Sequence, residues 1–158
     1  TQGGEEMKVM KLKDNNLLTM RGKVPINTQN DRLTLFDGRF DTGFRVVSFD
    51  ISADVPVATY EIMAKLRTAQ GASFTGATWD WSNNEEIAWA QWGGPSSNQI
   101  NYLSFVDADN LVVEDLFIEV YTTSGDIGPV NYMITLQKYD FPDWTGALAM
   151  VRNNAQSV

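Results

Sequence analysis

The sequence predicts an all-β chain folded as an antiparallel β-sandwich, a jelly roll in particular, and three observations lead there. Apolar residues recur at every second position in about eight separate runs, the period of half-buried strands. Clusters of Gly, Pro, Asn, Asp and Ser stand between those runs. No helical spacing intervenes until the end of the chain, where Asp143, just after the break at Pro142, is placed to cap a short C-terminal helix or to begin an extended tail. Short strands with no helices between them bury their apolar faces by packing as two sheets.

Taken in order, Met7 to Lys13 alternates apolar and basic residues as an edge strand or arm does, and Leu17 to Val24 is a second strand stopped by Pro25. Ile26 to Asp31 is polar and turn-rich, which predicts an exposed connection. From Leu33 the alternation is clear: Leu33 and Leu35 lead to Asp37-Gly38, a tight-turn pair, and then to Arg39–Phe44. Val47, Phe49 and Ile51 alternate with Ser48, Asp50 and Ser52. Tyr60, Ile62, Ala64 and Leu66 alternate with Glu61, Met63, Lys65 and Arg67. Pro56 separates these two strands, which pair or lie in facing sheets. Glu85–Trp92 and Gln99–Val106 follow, divided by Gly93 to Asn98. Leu111–Tyr121 and Val130–Tyr139, joined across Thr122 to Pro129, read as a long antiparallel hairpin with Val112, Leu116, Ile118 and Val120 on one face and Tyr132, Ile134 and Leu136 on the other strand's matching face. The organisation expected is one domain overall: residues 1–32 an N-terminal arm with candidate edge strands, 33–141 the β-sandwich core, 142–158 an apolar C-terminal tail.

A chain of 158 residues buries enough surface for one core, and its 43% apolar and 20% charged residues are an ordinary globular mix. The formal net charge of −8 repels phosphate backbones and anionic head groups, so neither nucleic acid nor a membrane surface is expected as a partner. Lys8, Lys11, Lys13, Arg21 and Lys23 gather in one region, but no aromatic platform lies among them. No apolar run reaches the ~20 residues that span a bilayer, and Thr1–Glu6 carries neither the basic nor the apolar region of a signal peptide.

The chain has no cysteine and no histidine. Thiolate chemistry, disulfides, imidazole triads and the commonest metal ligands are therefore absent from it, and no cofactor is expected. An enzyme would have to run on paired carboxylates, as glycosidases do, which directs attention to Asp80, Glu85, Glu86, Asp107, Asp109, Glu114 and Asp115. Glu114 and Asp115 are neighbours in a strand and should face opposite ways, and twenty acids will cluster by chance, so no catalytic residue is assigned. Asp107-Ala108-Asp109-Asn110 resembles the start of a calcium loop and makes Asp107 and Asp109 the candidate ligands. The glycine and closing glutamate of such a loop are missing, with Ile118 at its twelfth place, and a polar turn is the expectation.

Four of the five tryptophans fall in Trp79-Asp80-Trp81 and Trp89-Ala90-Gln91-Trp92. Trp79 and Trp81 can share a face, whereas Trp89 and Trp92 should lie on opposite faces, one in the core. Packing is the leading expectation for these rings. The rival is a carbohydrate-binding module with Trp79, Trp81 and Trp92 as sugar-stacking residues, because exposed indole faces bind sugar rings.

A sandwich with many aromatics, a polar arm and an apolar tail has the layout of a subunit that interlocks with copies of itself or with other subunits. The ending Asp143-Trp144-Thr145-Gly146-Ala147-Leu148-Ala149-Met150-Val151-Arg152-Asn153 is similar to endings of small jelly-roll virion proteins of aquatic viruses, capsid or capsid-decorating subunits. What the resemblance implies is a structural role in the virion. Homo-oligomers or other particle subunits are the expected partners of such a non-catalytic chain, and the tryptophan rival adds a glycan as a further one. A secreted or cell-surface position goes with the carbohydrate-binding alternative. The acidic charge favours an outward-facing position. Trp144, Leu148, Met150 and Val151 are the expected intersubunit anchor, since interfaces concentrate their energy in a few aromatic and aliphatic side chains.

Overall fold

Alternation along the eight strands of the described residues decides the architecture. The computed structural model describes residues 17–35, 42–55, 61–70, 78–93, 102–112, 114–122 and 128–140. The strands are β1 (Leu17–Val24), β2 (Thr28–Leu33), β3 (Thr42–Ala53), β4 (Glu61–Arg67), β5 (Glu86–Gly93), β6 (Tyr102–Val106), β7 (Leu116–Tyr121) and β8 (Val130–Asp140). They form a three-stranded sheet in the order β1-β8-β3 and a five-stranded sheet in the order β2-β7-β4-β5-β6, antiparallel throughout. Among the described residues there is no helix. The expected Met7–Lys13 strand and the C-terminal segment from Pro142, with Trp144, Leu148, Met150 and Val151, lie outside the described residues.

The two sheets face each other across one core. Val46, Phe49, Ile51, Ile134 and Leu136 come from the smaller sheet, and Ile62, Leu66, Ile118 and Val120 from the larger. Burial of each such side chain contributes about 1.5–3 kcal/mol, and alternation turns their sequence neighbours outward. The fold is therefore a β-sandwich, as the period-two pattern predicts. Its pairs are nested along the chain: β1 with β8, β2 with β7 and β4 with β5. The remaining two strands meet at a seam between the sheets, where the Ser104 hydroxyl donates to the Phe49 carbonyl (2.6 Å) and the Tyr102 hydroxyl donates to the Asp50 carboxylate.

Two expectations need correction. Residues 28–31, read as an exposed connection, begin β2. Asn and Asp disfavour strands intrinsically, but pairing with β7 supplies a ladder, and the irregularity between Thr28 and Asp31 absorbs the poor fit at this sheet edge. The turn before it sits at Asn27, whose φ of 54° is a conformation that asparagine tolerates. The second correction concerns β7 and β8, which are no hairpin. β7 pairs with β2 and β4 in one sheet, and β8 with β1 and β3 in the other. Both strands present an apolar face to the same core, and alternation alone does not distinguish strands that lie side by side from strands that face each other. The chain leaves β7 at Thr122, whose N–H donates to Asn27 Oδ1 (3.1 Å) and whose hydroxyl donates to the Glu61 carbonyl (2.8 Å).

The segment from Asp107 to Val112 is sewn onto the bulge of β3. Asn110, buried, accepts from the Val46 N–H (2.9 Å) and donates to the Val46 carbonyl (3.0 Å), imitating a strand partner where the register slips between Val46 and Ser48. Two residues on, Val112 and Phe44 exchange both backbone hydrogen bonds at 2.7 Å.

Candidate functional site

The outer face of the five-stranded sheet, which alternation would assign to water, is where the unusual chemistry collects. Ile62, Ala64 and Leu66 of β4 point into the core, so Lys65 and Arg67 point away from it. Both are nevertheless buried, Lys65 completely, beside Glu86 of β5 and Glu119 of β7. Register brings them together: Lys65 stands opposite Glu119 on one side and Trp89 on the other, and Arg67 opposite Glu86. The Lys65 ammonium donates to Glu86 Oε2 (2.8 Å) and to the Thr78 carbonyl (3.0 Å), and lies 3.9 Å from Glu119. Arg67 bonds Glu85 Oε1 (2.5 Å), with Glu86 at 3.5 Å and Glu119 at 3.7 Å. Two cations thus offset three carboxylates, two of them buried and Glu85 partly exposed, an arrangement that holds only while every member keeps its partners.

This network fixes the connection that leads into β5. Glu86 Oε1 accepts from the Asp80 N–H and from the Trp89 indole N–H, both at 2.9 Å. Ser82 donates its hydroxyl (2.6 Å) and its N–H (3.0 Å) to Asp80 Oδ1, which holds that carboxyl below its ordinary range. The turn so formed lays Trp81 on the sheet. Its ring centre is 5.7 Å from that of buried Trp89 and 5.6 Å from that of Phe105 on β6, at interplanar angles of 54° and 68°. Trp79 meets the same Phe105 edge-on at 6.4 Å, and its buried indole N–H has no acceptor among the described residues. Despite these neighbours Trp81 is 64% exposed, the largest exposure among the big apolar side chains of the described residues; Phe105 beside it is 41% exposed, and Leu103, two residues back along β6, 42%.

Of the three tryptophans expected to stack sugar, the structure brings Trp79 and Trp81 together. Trp92 is elsewhere: it lies opposite Ile62 and packs, half-buried, against the core, whereas Trp89 lies opposite Lys65 on the outer face. Phe105 and Trp89 complete the cluster in its place. Sequence reasoning marked the Trp-Asp-Trp run but missed the ion network under it, because Lys65 and Arg67 alternate with core residues as solvated positions do. Their acidic partners are identifiable only once strand neighbours are known.

The other nominated acids are occupied or apart. Asp115, buried just before β7, accepts from the Arg32 guanidinium and from the Leu35 N–H (2.9 Å), while Glu114 is exposed. Asp107 accepts from the Asp109 N–H (3.0 Å) and closes a turn with Asn110. Among the described residues no group of three acids is arranged to hold a metal ion; the three carboxylates that do converge, Glu85, Glu86 and Glu119, are gathered around Lys65 and Arg67. The outer face of the three-stranded sheet carries an open groove of about 590 Å³ lined by Arg21, Lys23, Asp50, Ser52, Asn131 and Met133, in which Lys23 is paired with Asp54 at 2.6 Å.

No protein-family model matches the chain, and no curated protein is similar to it. Among solved structures, it is similar to a chain of Bacillus endospore appendages, described as a novel family of disulfide-linked pili. The likeness has 6% identity and a TM-score of 0.31, and covers 80% of this chain and 90% of that one. A likeness so slight carries no argument about fold or function.

Proposed function

We propose that the chain is a non-catalytic structural subunit that assembles with copies of itself or with other subunits of a virus particle, as a capsid or outward decoration. The observation that carries this reading is the nested strand pairing. The nesting of β1 beside β8, β2 beside β7 and β4 beside β5, with β3 and β6 meeting at the seam, supports the jelly roll proposed here, a common architecture of capsid domains. The use made of the ionisable groups supports the non-catalytic part. Glu85, Glu86 and Asp115 are held by Arg67, Lys65 and Arg32, an arrangement that uses these acids to stiffen the sheet. The charge of −8 supports an outward position, since a genome-lining surface would be repelled.

In this reading Trp144, Leu148, Met150 and Val151 anchor one subunit on the next. The test is Trp144→Ala combined with Leu148→Ala in the full chain. Loss of the native assembly with an unchanged melting temperature is expected. A lowered melting temperature with the assembly retained would mean that the segment closes its own sandwich instead.

A further inference from the structure

Trp81 is an exposed indole on a rigid mount, and that combination separates it from an ordinary surface aromatic. Two aromatic rings fix its plane, the Asp80–Ser82 turn fixes its backbone, and that turn hangs from Glu86, which Lys65 holds out of water. An apolar surface presented without conformational freedom binds a ligand at low entropic cost. We infer that Trp81, with Phe105 beside it, Leu103 two residues back along β6 and Asp80 at its rim, is a stacking site for one ring of a neutral glycan.

The chemistry selects that occupant over others. One face of a pyranose presents a row of slightly positive C–H bonds, which complements the negative face of the indole quadrupole. Hydroxyls at the ring's edge need acceptors. The Asp80 carboxylate is exposed and ionised, with only one of its oxygens engaged by Ser82, and charge-assisted hydrogen bonds of that kind are the strong ones. Ser82 and Asn84, both exposed, add further polar groups to the same turn. A net charge of −8 opposes an acidic sugar. A stable protein partner would cover roughly 800 Å² on this side, far more than three partly exposed side chains offer, whereas one or two sugar rings match the patch. Trp92, on the opposite face of the sheet, takes no part.

The site goes beyond the assembly reading and fails separately from it, because Trp81 belongs to the sandwich and the proposed anchor to the chain's end. The test uses the full chain, wild type and Trp81→Ala, on an array of neutral oligosaccharides of glucose, galactose and mannose with polyuronates as the acidic control. Any hit is then measured by titration calorimetry, beside the melting temperature and the native mass. Selective binding of a neutral oligosaccharide, weakened about tenfold or more in Trp81→Ala at unchanged melting temperature, is the expected result. Partial retention by Trp81→Phe and a several-fold loss in Asp80→Asn are expected with it. Absence of binding to every neutral oligosaccharide, or binding that Trp81→Ala leaves unchanged, overturns the inference. So does a Trp81→Ala chain that binds no less sugar but loses its native mass, which would assign the patch to a second copy.

Discussion

Lys65, with no exposed surface, sits 2.8 Å from Glu86 on the face of its sheet that points away from the hydrophobic core. A lysine there would ordinarily reach into water. Here the 78–82 turn closes over it, and the ammonium supports the turn in exchange. Removing one member of a buried ionic group strands the others, at a cost of about 3–5 kcal/mol. Lys65→Met should therefore destabilise the chain by that order in urea unfolding. Pairing it with Glu86→Gln should cost less than the sum of the single changes. Additive effects would mean that the two side chains are not coupled.

Asn110 offers a smaller and more local test. Asn110→Ala leaves the N–H and carbonyl of Val46 without partners beside the β3 bulge, and should cost about 1–3 kcal/mol. Asn110→Asp keeps the acceptor but loses the donor, and should also destabilise. Hydrogen exchange at the Val46 amide would show directly whether the loop has come away.

Gly22 on β1 stands opposite Tyr132 on β8, and a methyl group there would lie 2.9 Å from the tyrosine oxygen and 3.2 Å from two ring carbons. Gly22→Ala should destabilise by about 1–3 kcal/mol through overpacking. Tyr132→Leu in the same chain should recover part of the loss. An equal penalty with and without the ring would place the strain elsewhere.

Tyr102, which ties β6 to β3, is pushed from its ordinary value of 10.0 up to about 12, first by burial and then by its hydrogen bond to Asp50. The folded chain therefore holds this proton more tightly than the unfolded one. Stability from this group is complete below pH 10.0 and falls away as the pH rises towards 12. Ultraviolet titration should show Tyr102 ionising late, alongside Tyr132, which burial also raises. Tyr102→Phe should flatten the alkaline loss of stability over that window, and an unaltered slope would contradict the assignment.

Strand placement was legible wherever one face meets the core. Leu17–Val24 is a strand with the boundaries expected, and the alternation of Ile62, Ala64 and Leu66 marks the inner face of β4. Strand partnership was not. Leu116, Ile118 and Val120 alternate in the same way whether β7 pairs with β8 or faces it across the core, so the expected hairpin proved to be a crossing between sheets. β2 was illegible for the opposite reason, since Thr28–Leu33 owes its strand to β7 rather than to its own residues. The candidate site was half visible. Trp79-Asp80-Trp81 stands out in any reading, but Phe105 joins it only through the β5–β6 register, and Glu119 reaches Lys65 only through β7.

The central claim is assembly, and the native mass of the full chain by multi-angle light scattering over a wide range of concentrations tests it most directly. A discrete mass that is a multiple of the 17.7 kDa chain, stable on dilution, is the result predicted. A monomer at every concentration would contradict it.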